Sequence, residues 1–112
     1  MGIAYRDPNA RYPRELQGRW FSDRRACADP RRDEPAYDTY ARTVITAETQ
    51  GDRGDEERVN AVRPLGRNAW AIDASGDAQV GAESFTSATY ALTRDGFALT
   101  ANGHLTEWVR CR

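Results

Sequence analysis

The residues able to do chemistry are few, and their spacing decides what they can be asked to do. His104 is the single histidine. A general base needs an orienting partner, and Glu107 is its nearest acid. It follows Asn102-Gly103, a turn at which side chains are solvated. No Ser-His-Asp set can be picked out around it. The expectation is an exposed turn residue in a chain that is not an enzyme, with no catalytic residue and no cofactor. Asp52, Asp55, Glu56 and Glu57 cluster beside Gly51 and Gly54 and offer oxygen ligands of the kind calcium takes. Their spacing is not that of an EF-hand loop, so a solvated acidic turn and no metal are expected. Arg53-Gly54-Asp55 spells an integrin-type tripeptide, but in a chain this rich in Arg, Gly and Asp it is assigned no role. Cys27 and Cys111 are wrongly spaced for zinc or for a thioredoxin-like pair. They are either two buried thiols or one bridge enclosing nearly the whole chain. The bridge is the reading adopted, since closing so long a loop is worth about 4 to 5 kcal/mol.

Such residues need a frame, and composition limits it. A chain of 112 residues holds one domain. Leu, Ile, Val and Phe number only sixteen, so the three Trp and five Tyr must supply much of the core. That suits a compact β structure. The basic residues are all Arg, seventeen acids interleave with them, and the net charge is -1. With no basic face, nucleic acid is rejected as the main partner. No apolar run reaches the roughly 20 residues of a membrane helix. Met1 to Arg6 has no apolar signal-peptide core, so the chain is either cytosolic or begins after a removed signal. The bridge favours the latter, a periplasmic or secreted protein.

Residues 1–12 are polar, contain Asp7-Pro8-Asn9 and read as an extended, loosely held arm; residues 13–112 read as one barrel domain. Pro13 to Leu16 is expected as a short helical turn delivering the chain into a first strand at Gln17 to Ser22. Ser22 to Pro35, dense in Asp, Arg and Pro, reads as a loop. Strands are expected at Tyr37 to Ala47, Glu57 to Arg63, Ala69 to Ala74, Gln79 to Phe85, Ala88 to Thr93, Phe97 to Ala101 and His104 to Arg112. Turns are expected at Gln50 to Asp55, Pro64 to Asn68 and Ser75 to Asp77. Asp95-Gly96 and Asn102-Gly103 are expected as tight hairpins with a left-handed position. The sum is an all-β chain, an antiparallel up-and-down barrel of about eight strands.

Gly18-x-Trp20 after a helical turn, answered by Trp108-Val109-Arg110-Cys111-Arg112 on the last strand, resembles the calycin superfamily of lipocalins, avidins and small bacterial metalloprotease inhibitors. The resemblance covers the chain ends and the strand count. It implies a meander barrel in which Arg110, with Arg112 as its substitute, packs over Trp20 beside Gly18 and latches the last strand to the first. It also implies an exported bacterial protein. The chain is shorter than lipocalins and lacks their C-terminal helix. Ser75-Gly76-Asp77-Ala78-Gln79 lacks the Tyr of the Ser-Gly-x-x-Tyr loop of bacterial lysozyme inhibitors.

Trp70 is expected in the core with Ile72. Trp108 is left open between core and surface. Either, if turned outward with Tyr40 or Phe21, would mark a contact for a ligand or partner. The function expected is non-catalytic binding of a small apolar or aromatic ligand in the barrel or of a protein on its loops. The alternative is an inhibitor of a periplasmic or secreted hydrolase acting through the arm or the Ser22 to Pro35 loop.

Overall fold

The computed structural model describes residues 5–52, 55–77 and 83–111. Eight strands form a closed antiparallel barrel in sequence order, β1 to β8. They are β1 (Gly18–Phe21), β2 (Arg42–Ile45), β3 (Thr49–Asp52), β4 (Asp55–Pro64), β5 (Ala69–Asp77), β6 (Glu83–Leu92), β7 (Gly96–Ala101) and β8 (His104–Val109). Two short 3-10 turns, Arg14–Leu16 and Arg24–Ala28, flank β1. Among the described residues no helix is long and apolar enough to cross a membrane.

The expected number of strands is reached through different segments. Tyr37 to Ala41 is not strand, and β2 is confined to Arg42–Ile45. Of the polar turn expected at Gln50 to Asp55, Gln50 to Asp52 belong to strand β3 and Asp55 begins β4. Gln50 earns its place there by bonding the hydroxyl of Tyr90 across the barrel. The two strands expected at Gln79 to Phe85 and Ala88 to Thr93 are one, β6, over their described part. Its polar middle is satisfied in place, with Thr86 donating to Glu57 and Ser87 to Asp73. Ser75 to Asp77, expected as a turn, extends β5.

The two predicted hairpins also differ in mechanism. Asn102 and Gly103 have φ of 53° and 78°, a two-residue turn with both positions left-handed. Gly96 is not left-handed. It is glycine because a Cβ there would lie 1.8 Å from the carbonyl oxygen of Trp108.

Aromatic rings fill the interior, as the shortage of aliphatic residues requires. Phe97, fully buried, meets Trp20 edge-on at 4.8 Å, Tyr90 at 5.6 Å and Trp108 in a stack at 6.4 Å. Tyr12 stands edge-on to Tyr90. Leu16, Ile45, Val59, Trp70 and Ile72 complete the same cluster.

The N-terminal arm is not loosely held over its described part. Asp7 N–H donates to the carbonyl of Asn60, and Tyr12 N–H to that of Ala47. Arg6 donates to Asn60 Oδ1 at 2.7 Å and to Ser75 Oγ at 3.0 Å. Ser75 shares the parity of exposed Asp73 but is itself buried. Ala10 and Tyr12 join the core. The polar sequence hid this because the fastening is made by backbone groups and one guanidinium.

Candidate functional site

At the end of the barrel where β1 begins, Gly18, Trp20 and Arg110 meet. The Arg110 guanidinium lies 4.3 Å from the Trp20 ring centroid and donates to the carbonyl of Gln17 at 2.7 Å. The Trp20 indole N–H donates to the carbonyl of Leu16 at 2.9 Å. Gly18 has φ of +139°, and a Cβ on it would stand 3.0 Å from Arg110 Nη2. Backbone conformation and space therefore both call for glycine. These three residues close the fold, and the rings of Trp20 and Trp70 are spent in packing. Trp108, undecided from sequence, packs against the core while staying half-exposed, with its Nε1 buried and without a hydrogen-bond partner among the described residues.

Beside this closure lies an open cleft of about 480 Å³, lined by Arg14, Trp20, Arg24, Leu92, Asp95 and Arg110 among others. One wall is the second 3-10 turn, where Arg24 pairs with Asp95 at 2.8 Å. That turn belongs to the long connection 22–41, and its position is set covalently. Cys27 and Cys111 form a disulfide with Cα atoms 5.0 Å apart. The bridge is made next to the Arg110 latch, so the loop and the end of β8 are held to the same place.

The rest of the connection is fastened by charged and aromatic side chains, one of them at the start of β2. The Arg42 side chain, 9% exposed, donates to Asp52 and to the carbonyls of Arg32, Glu34 and Pro35. One guanidinium thus holds three loop carbonyls that no strand could satisfy. Asp23 accepts from Arg25 N–H and caps the 3-10 turn. On the outer side, the hydroxyl of Tyr37 donates to Asp29 at 2.7 Å, and Arg31 lies 4.5 Å over the Tyr37 ring. Tyr40 packs edge-on to Tyr37 at 6.3 Å. The Tyr37 hydrogen bond first, then the Arg31 backbone N–H, hold the Asp29 carboxyl below the ordinary carboxylate range. Burial raises the Tyr40 phenol above its usual value. The result is a charged and aromatic surface tied together by hydrogen bonds and ring contacts.

Of the residues singled out for contact, Tyr40 belongs to this surface; Trp70 and Trp108 do not. Sequence reasoning missed Tyr37, Asp29, Arg31 and Arg42. The sequence points to a strand at Tyr37, and the Arg and Asp residues are indistinguishable by type from their many neighbours. His104 is exposed at the start of β8. Arg53 and Gly54 of the tripeptide lie outside the described residues. Among the described residues no three His, Cys, Asp or Glu side chains are placed to hold a metal ion.

Further clefts among the described residues lie against the fastened arm and the outer strands. One of them, about 320 Å³, is bordered by Arg6, Arg11, Glu48 and Arg58. No protein-family model, no curated protein and no solved structure matches the chain.

Proposed function

We propose that this chain is a non-catalytic binding module that recognises a protein through the disulfide-held connection 22–41 and the cleft beside it. The observation that carries the reading is an aromatic-packed barrel interior next to a long connection fastened by a disulfide and by hydrogen bonds from charged side chains. An eight-stranded barrel is either filled or holds one small ligand. The packing of Phe97 against Trp20, Tyr90 and Trp108 supports the filled case and disfavours an apolar ligand inside. Loops held by a rigid frame are where recognition concentrates, and preorganisation lowers the entropic cost of binding. Tyr37, Tyr40 and Arg31 are of the residue types that dominate protein interfaces.

The Gly18, Trp20 and Arg110 closure supports a calycin-type barrel. The disulfide supports a periplasmic or secreted location. An inhibitor of a secreted hydrolase is one form such a module takes. The fastening of residues 5–12 favours connection 22–41 over the arm as the contact such an inhibitor would use.

The test uses the oxidised full chain as immobilised bait in a periplasmic or culture-supernatant extract, compared with an Arg31→Ala/Tyr40→Ala variant shown to be folded. A partner recovered by the wild type, reduced at least about tenfold by the variant and binding as a purified protein, is the expected result. Equal recovery by both, or saturable binding of a fluorescent apolar probe displacing the interior rings, overturns the reading.

A further inference from the structure

The barrel wall is closed at β1 and β8 by one registered pair, Phe21 with Val109. After Phe21 the chain turns away into the capped 3-10 turn and its disulfide. The rest of β8 therefore runs on with β7 on one side and no described strand on the other. The hairpin fixes which backbone groups this leaves unused. Ala101 and His104 flank a two-residue turn and bond each other, as do Leu99 with Thr106 and Phe97 with Trp108 by the antiparallel alternation. The N–H and C=O of Leu105, Glu107 and Val109 point the opposite way. Val109 meets Phe21, but no described residue bonds the backbone of Leu105 or Glu107.

The side chains agree. Leu105 is 64% exposed, the second most exposed large hydrophobic residue described. Glu107 is exposed and has no ion pair among the described residues. On the interior face, Thr106 and Trp108 remain half-exposed although they point toward the core. An exposed strand edge is a template for another strand, and natural edges are blunted by charge, proline or cover. Only the Glu107 carboxylate blunts this one.

We propose that the β8 edge at Leu105 to Glu107 captures an extended segment of a partner protein as an added strand, the segment alternating apolar and basic side chains. Its backbone meets the N–H and C=O of Leu105 and Glu107. Its apolar side chains cover Thr106 and Trp108, and its cations face Glu107. Main-chain bonds give affinity in this mode, and alternate side chains give selectivity. The surface is separate from connection 22–41 and stands whether or not that loop binds anything.

The experiment titrates isotope-labelled, oxidised full chain with a synthetic acetylated peptide of alternating valine and lysine, followed by amide NMR. The expected result is saturable shifts centred on residues 104–108. N-methylating the pairing residues of the peptide is expected to weaken binding at least about tenfold on the unaltered protein. Leu105→Pro is expected to do the same, since it removes an outward N–H and spares the β7 ladder. Replacing lysine by glutamate in the peptide is expected to weaken binding as well. Shifts elsewhere, or binding indifferent to N-methylation or to peptide charge, overturn the proposal. So does a free chain that is already dimeric with slowly exchanging Leu105 and Glu107 amides, which assigns the edge to a second copy.

Discussion

Asp29 shows how much of the loop's order rests on single charged groups. Its carboxyl is held low by Tyr37 and by the Arg31 backbone, so its contribution is present above the ordinary aspartate value near pH ~3.9 and is lost only as pH falls through the lower folded value. Acidification is therefore expected to leave the Tyr37 and Tyr40 NMR signals unchanged down to about pH 4 and to collapse their dispersion below it. Collapse well above that point would show that the hydrogen bond does not hold the loop. In the core, the Tyr12 hydroxyl is buried with no hydrogen-bond partner among the described residues, and burial raises the phenol above its usual value. A raised folded value means the stability is complete below the ordinary tyrosine value and is lost as pH climbs past about 10. Tyr12→Phe is expected to raise stability by about 1 kcal/mol and to move the alkaline unfolding midpoint upward, measured by denaturant titration across pH. A loss of stability would reveal a partner for that hydroxyl.

Among the elements, the connection 22–41 depends on β2 more than on its own sequence. Arg42 sits at the start of that strand and reaches back to three loop carbonyls and Asp52. Removing it frees half-exposed and exposed carbonyls that water can reach, so the loss is that of the charge-assisted bonds themselves, about 1.5 to 3 kcal/mol before water replaces the donor. Arg42→Ala is expected to lower stability by about 2 kcal/mol and to speed amide exchange over residues 30–37. Exchange unchanged there would place the loop's rigidity in the disulfide alone. Arg42→Lys is expected to behave nearly as badly, because an ammonium cannot span the same fork of acceptors.

For the whole molecule, the disulfide and the Arg110 latch act on the same seam. The bridge spans 84 residues, and a loop of that length is worth about 4 to 5 kcal/mol against the unfolded chain. A small domain holds about 5 to 15 kcal/mol in total. Reduction is expected to lower the chemical denaturation midpoint sharply and to release connection 22–41 before the β4 to β7 wall exchanges. Hydrogen exchange of the reduced chain, residue by residue, checks the order. Uniform loss of protection would mean that the seam and the wall unfold as one unit.

The barrel was legible from local rules because its signals are local. Alternation in Ala69 to Ala74 and the Asn102-Gly103 turn depend on nearby residues, while the Gly18, Trp20 and Arg110 closure was implied by the resemblance to calycins. With two cysteines only one intrachain pairing was possible, and the value of so long a closed loop to a small core favoured the bridge over two free thiols. Strand β3 was not legible, since Gln50 and Thr49 gain their worth from partners on β4 and β6. The fastening of residues 5–12 was equally hidden, because polar side chains and backbone groups are read as solvated until their acceptors are placed. The binding surface was hidden most deeply. Arg31, Asp29 and Tyr37 differ from the other Arg, Asp and Tyr residues only in where the fold sets them. The order of strands and the aromatic core were determined by the sequence itself, through period-two patterning and the scarcity of aliphatic residues. Which charges converge, and that β8 runs past the end of β1 with an unpaired edge, only the tertiary structure decided, because barrel stagger sets the register between the first strand and the last.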